Sequence, residues 1–464
     1  MRQTFLPDQP FSRHLRKTRK ALGCACLVLA FGAGLRAAEP APKKVKITAA
    51  RIWELWPKVK VSPSDPYQLR GPDVQSALND LRKKSKGALR VEFEGRSAEG
   101  RPLPLAQWGQ GDLKILLWSQ MHGDEPTATA ALLDLLHFLV SQPKHKLVRQ
   151  LQERLQLFFI PMLNPDGAER TRRRNAQGID INRDALTLTT PEGRFLKEIR
   201  DRYRPEIGFN LHNQDRRTSA GETRKPVMIS LLAVAYEPGG GNNLGRVRSK
   251  KICSLIYEAL GPYCYGGMAR YDDSFNVRAF GDRMSAWGTY TVLIESGWPG
   301  KGGEEFLVRV NFLALLKALQ ALADGSVQDA NPAVYDALPE NQGGLIFSRI
   351  FRGITVWNGN AAGPFTTDVG LNFNESFDGK KQRQERGAVA DVGDLSVFAG
   401  EKEVAAGGWV VSPSDLKEGS PQGEIVPGAR TLYFYRRKTP AAGVEFSNLE
   451  PAGRLLQGAW EESP

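Results

Sequence analysis

The chain has 464 residues, more than one average domain, and its 41% hydrophobic and 25% charged residues are the balance of a globular protein with material for a real core. Its formal charge of +12 falls to +6 without residues 1–37, which carry seven basic residues and one acidic one. What remains is a weak argument for anionic partners such as cell-wall polymers and no argument for nucleic acid.

The first elements in chain order read as a targeting segment. Arg13, Arg16, Lys17, Arg19 and Lys20 precede an apolar run from Ala21 to Leu35, and the small residues Ala37 and Ala38 follow. That is the order of a Sec-type signal peptide, predicted here as residues 1–37. The run of about fifteen residues is short of the roughly 20 that span a bilayer. Most of it follows Cys24, which argues against a lipidation site. A secreted or periplasmic location is expected, with no stable membrane insertion after cleavage. No later segment reads as a membrane span. Cys253 and Cys264 would reach an oxidising compartment, and whether they pair is left open.

Residues 38–328 are expected to form an α/β domain. Leu113–Ser119, Leu155–Pro161, Ile207–Leu211 and Tyr290–Glu295 read as buried strands, while Thr127–Val140 and Phe306–Leu322 carry leucines at helical spacing. This alternation predicts a mixed, largely parallel central sheet flanked by helices. From about Asn331 the texture becomes glycine-rich with short β-branched or aromatic segments, namely Gly344–Phe351, Ile354–Trp357, Trp409–Ser412 and Thr431–Tyr435. Residues 329–464 are therefore expected to be a smaller β-rich accessory domain, with Gly379–Arg386 a solvated loop or hairpin tip.

Of five histidines, His14 falls in the targeting segment, His137 in an apolar helix, and His145 between lysines, where it should be exposed. His122 and His212 each follow a predicted buried strand. His122 and Glu125, at i and i+3, can turn toward one point at a strand-to-helix junction, and His212 can add a second imidazole. Two imidazoles, a carboxylate and a position left to water are the ligand set of a hydrolytic zinc site. Ligands also collect at the carboxyl ends of strands in open α/β sheets. Gly239-Gly240-Gly241 lacks the residues of a phosphate loop, and Gly95–Glu99 fails as a nucleophile elbow.

The neighbouring motifs are Gly95-Arg96-Ser97 with Gly100-Arg101-Pro102, Asn164-Pro165-Asp166-Gly167, Asp180-Ile181-Asn182-Arg183-Asp184, Leu211-His212 and Ile294-Glu295. In order and approximate spacing, roughly residues 60–320 resemble the zinc carboxypeptidase superfamily, the M14 metallocarboxypeptidases, in a bacterial-type member. The resemblance implies one zinc per chain on His122, Glu125 and His212, with Glu295 as general base. It implies an oxyanion-binding arginine, for which spacing favours Arg173 over Arg174, and a terminal-carboxylate clamp at Asn182 and Arg183. The tyrosine that closes over substrate is best matched by Tyr271, with Tyr263 and Tyr265 as alternatives. Asp124 stands where digestive members carry a basic residue, so their extended-peptide contacts do not transfer.

The function expected is a metallocarboxypeptidase acting on peptides or cell-wall peptides. A zinc deacylase of N-acyl amino acids shares the ligand set, although the Asn-Pro-Asp-Gly motif and the long accessory segment argue against it. An inactive binding protein on the same fold would require loss of a ligand or of Glu295, and all four residues are present.

Overall fold

The computed structural model describes residues 45–358, 363–377, 383–418, 421–436 and 451–462. The expected signal segment lies outside the described residues. The main sheet holds β1 (Leu89–Arg96), β2 (Pro102–Trp108), β3 (Leu113–Ser119), β4 (Leu155–Ile160) and β5 (Ile207–Asn213). After the two-residue strand β6 (Ser219–Ala220), it adds β7 (Ile229–Ala233), β8 (Met268–Arg270) and β9 (Tyr290–Ser296). Its order is β1-β2-β4-β3-β5-β9-β7-β8. The centre, β4-β3-β5-β9, is parallel, and antiparallel pairs flank it on both sides.

The central strands are apolar throughout because both faces are covered. Along β3, Ile115 and Leu117 enter one buried cluster while Leu116 and Trp118 enter another. Helices Thr127–Ser141, Leu244–Cys264 and Gly303–Asp324 pack into the first cluster, and Pro191–Tyr203 and Phe280–Ala286 into the second. Contrary to the sequence expectation, Gly300–Asp324 is long and apolar enough to cross a bilayer; 78% of its most apolar stretch is buried inside the protein, which accounts for its composition. Cys253 and Cys264 are both buried and unpaired. They sit at opposite parts of one helix, 11 residues apart, beyond disulfide reach. His137 Nδ1 donates to the Val59 carbonyl at 2.7 Å. His145 is half-buried rather than exposed, because its Nδ1 caps the next helix by accepting from Leu147 N at 3.2 Å.

The linker after the last long helix is woven into this half. Tyr335 is 1% exposed, its hydroxyl accepts from Ala233 N at 3.1 Å, and β10 (Asn341–Gln342) pairs with β6. Beyond it lie β11 (Ile346–Val356), β12 (Phe365–Phe377), β13 (Arg383–Gly393), β14 (Ala399–Ala405), β15 (Trp409–Ser412), β16 (Leu432–Arg436), β17 (Gly453–Leu456) and β18 (Ala459–Glu462). The order β12-β13-β18-β17-β16-β15-β11 closes through β11–β12 pairing into a barrel, with β14 added on β11. Phe351, Phe434 and Trp460 meet in its core. The two predicted segments Gly344–Phe351 and Ile354–Trp357 are one strand, bulged between Phe351 and Ile354 where Gly353 takes φ +66°. Of the expected loop Gly379–Arg386, residues 379–382 lie outside the described residues. Arg383–Arg386 are strand, because β12 supplies ladder partners from Phe377 to Asn374.

Asp134 ties the N-terminal segment to the sheet-covering helix Thr127–Ser141. Fully buried, it accepts from Trp56 Nε1 (2.8 Å), Val61 N (2.8 Å), Ser62 N (2.8 Å) and Ser62 Oγ (3.0 Å). Replacing it strands several buried donors. Asp134→Ala is expected to lower stability by about 3 kcal/mol, read as a shifted midpoint in urea unfolding.

Candidate metal and active site

The site begins where β3 ends. Gln120 takes a left-handed φ of +49°, held at both ends of its amide: Nε2 donates to Gly123 O (3.0 Å) and Oε1 accepts from Thr129 Oγ1 (2.8 Å). The loop then presses on the Asn164–Gly167 turn. A Cβ on Gly123 would stand 2.0 Å from the Gly167 carbonyl carbon, so only glycine fits. Asn164 accepts from Gly167 N (2.9 Å) and donates to Met121 O (3.2 Å) and Arg173 O (3.3 Å). Asp166 accepts from Ser97 Oγ (2.7 Å), Glu99 N (2.9 Å) and Arg101 (2.6 Å). The sequence motifs around Gly95, Asn164 and His122 are thus one packed knot.

On this support the three ligand side chains converge. His122, Glu125 and His212 are 2%, 6% and 2% exposed, and their ligand atoms all lie within 4.8 Å of one another. Glu125 Oε1 meets His122 Nδ1 and its Oε2 meets His212 Nδ1, both at 2.7 Å, while the two Nδ1 atoms are 3.1 Å apart. Two ring nitrogens and a carboxylate pointing at one small volume suit zinc. Burial works against the His122 imidazolium, but Glu125 and Asp180 outweigh it and push the imidazole up to about 9. Burial would raise Glu125, yet His122 and His212 hold it well below the usual carboxylate range. Burial keeps His212 low.

Parallel pairing of β5 with β9 sets Glu295 beside His212. Glu295 is 6% exposed, and its Oε2 is buried with no hydrogen-bond partner among the described residues. Burial, reinforced by the Glu125 charge, pushes this carboxyl well above the usual range. An unpartnered buried oxygen next to a converging donor set is where a cation and its water fit.

Arg173 reaches the ligands and Arg174 does not. Arg173 donates to Asp180 Oδ2 (3.1 Å) and Glu125 Oε1 (3.3 Å), whereas Arg174 is exposed and donates to Gly178 O (3.0 Å). Asn182, Arg183, Tyr271 and Glu295 line one cavity of about 240 Å³ with His122 and Glu125. Asn182 Oδ1 accepts from Phe280 N (2.8 Å), and Arg183 donates to Asn182 O (2.7 Å). Glu295 and burial push the Tyr271 phenol up. Tyr263 instead stacks on Trp53 (4.1 Å between centroids), and Tyr265 is 76% exposed at the end of a helix.

Two functional residues escaped the sequence reading. Asp180 Oδ1 stands 3.1 Å from His122 Nε2, the ring nitrogen away from the ligand point, and Oδ1 also accepts from Asn182 N (2.9 Å). It therefore orients His122 and the Asn182 backbone together. Asn213 N donates to Glu125 Oε2 (3.2 Å). Asp180 was visible within its motif, but only the loop geometry reveals what it touches.

Residues 74–226 match the family model for zinc carboxypeptidases. The chain is 30% identical over 167 residues to "Probable carboxypeptidase 2" of Trichophyton verrucosum, covering 34% of this chain and 31% of that one. It is 30% identical over 149 residues to carboxypeptidase SOL1 of Arabidopsis thaliana, covering 28% and 30%. The chain thus spans under a third of the length of these curated relatives. Among solved structures, a metallo-carboxypeptidase from Burkholderia cenocepacia is similar at a TM-score of 0.43 and 17% identity, covering 54% of this chain and 68% of that one.

Because Asp180 holds His122 from behind, Asp180→Asn is expected to weaken zinc binding by about 10- to 100-fold. Competition with a chromogenic chelator measures it, and unchanged affinity would remove Asp180 from the metal's support.

Proposed function

We propose that this chain, whose residues 74–226 belong to the zinc carboxypeptidase family, is a secreted metallopeptidase that hydrolyses peptide bonds near a C-terminus. The observation that carries this reading is the buried convergence of His122, Glu125 and His212 with Glu295 beside them, at the mouth of a cavity lined by Asn182 and Arg183. One zinc on those ligands would supply Lewis acidity toward a carbonyl oxygen and make water more acidic.

The chain's own groups supply the rest. Arg183, with Asn182, meets the two oxygens of a terminal carboxylate, a task that suits a planar guanidinium. Arg173, beside the ligands, offers N–H donors to the oxyanion that forms as water adds to the carbonyl. Glu295 takes a proton from the attacking water and passes it to the leaving amine as the C–N bond breaks. Tyr271 covers the cavity from the Leu232, Val234 and Leu293 side. The basic-then-apolar order of residues 1–37 supports export, and with it peptides of the cell wall or surroundings as substrates.

Protein without residues 1–37 is expected to carry one zinc per chain, and a chelator should abolish its activity. Glu295→Gln should keep the metal while peptide turnover falls by about 100-fold or more. Unchanged turnover would place the base elsewhere. Release of acyl groups from N-acyl amino acids, with free peptides and muropeptides left intact, would replace the peptidase reading with the deacylase one.

A further inference from the structure

Glu125 and Asn213 also line a second cavity, of about 560 Å³, which leads from the ligands to the C-terminal barrel. One wall is the segment Asn213–Arg217, directly after the ligand His212; the other is the barrel, through Arg349, Asn374, Glu375 and Glu401. The barrel is pinned there. Arg216 pairs with Glu375 at 2.6 Å and with Glu304, Arg217 donates to Asn374 Oδ1 (3.0 Å), and Phe377 stacks on Tyr67 at 4.9 Å between centroids.

A peptide whose terminal carboxylate sits on Asn182 and Arg183 must carry the rest of its chain away from that cavity, past the ligands. The second cavity, sharing Glu125 and Asn213, receives it. The charges along the way are unevenly matched. Arg216 pairs with Glu304 and Glu375, Arg217 with Asp215 (2.8 Å), Lys402 with Glu462 (3.3 Å), and Arg349 stacks on Trp460 (4.1 Å). Asp124 and Glu401 have no ion-pair partner among the described residues, and one oxygen of each is buried without a hydrogen bond. Burial pushes the half-buried Glu401 carboxyl up to about 7 against the pull of Arg216 and Arg217, whose charges are already paired with Glu304, Glu375 and Asp215.

We propose that this groove binds the part of a peptide substrate N-terminal to the scissile bond, and that Glu401, contributed by the barrel, selects a Lys or Arg side chain there. The barrel is then a wall of the substrate site and reads charge. The inference rests on the peptidase reading above.

The test uses the zinc-loaded protein and peptides that share one C-terminal residue but carry Lys, Leu or Glu at the second or third position upstream of the scissile bond. Wild type should favour Lys over Leu by about tenfold in kcat/KM, the effect of one partly screened ion pair, and disfavour Glu. In Glu401→Gln the Lys/Leu ratio should fall toward one. A wild type without preference for Lys, or a variant that keeps the ratio, overturns the proposal. Fluorescence anisotropy of the same peptides on protein carrying Glu295→Gln reads the preference without turnover. Lys-selective binding with no cleavage by wild type would defeat the peptidase reading alone, whereas cleavage and binding both blind to Lys would defeat this one alone.

Discussion

The contact on which the site depends is between two glycine backbones. Gly123 packs so closely on Gly167 that a methyl group on Gly123 would displace main chain, and one on Gly167 would meet Asn164 Nδ2 and the Arg172 and Arg174 carbonyls. This approach fixes the distance between the loop that carries His122 and Glu125 and the loop that carries Arg173. Asn164 then bonds to both loops, and Asp166 anchors the turn to the β1–β2 hairpin. The ligand geometry is therefore set by main-chain packing behind it, which a side-chain rotamer change cannot easily undo.

In front of that frame the electrostatics are deliberately unbalanced. Glu125 and Glu295 line one pocket with the His122 imidazole and the guanidiniums of Arg173 and Arg183, and His212 is paired beside Glu295. Both carboxylates are desolvated, yet the histidines pull the Glu125 carboxyl down while the Glu125 charge adds to burial in pushing the Glu295 carboxyl up. Two like groups in one pocket thus differ in proton affinity because their neighbours differ. Such an arrangement costs stability, which the buried central strands offset.

Much of this was legible in the sequence, for a physical reason. Leu113–Ser119 and Leu155–Ile160 are buried on both faces, so they stand out as unbroken apolar runs; His122 and Glu125 follow the end of the first, and His212 is the penultimate residue of β5. What was not legible depended on distant chain. The last two strands on one side of the sheet, β7 and β8, are short, and helix Leu244–Cys264 mixes lysines and arginines with its core positions. The choice between Arg173 and Arg174 turns on the loop itself, where Arg173 O accepts from Asn164 Nδ2 and the Arg174 guanidinium is drawn off to donate to Gly178 O. The polar strands β12 and β13 gain their order from each other across a ladder that no local pattern announces. Asp180 and Asn213 reveal their roles only as neighbours of Glu125 and His122.

The short ribbon between β6 and β10, with Tyr335 sunk into the first half of the chain, has a mechanical consequence. The barrel is mounted at two places: at this ribbon behind, and at Arg216, Arg217 and Tyr67 in front. A module fixed at two points does not swing on a hinge. The gap beside the metal ligands is accordingly a rigid slot whose width is decided when the protein folds, so a substrate finds its wall already in place and spends none of its binding energy on closing one.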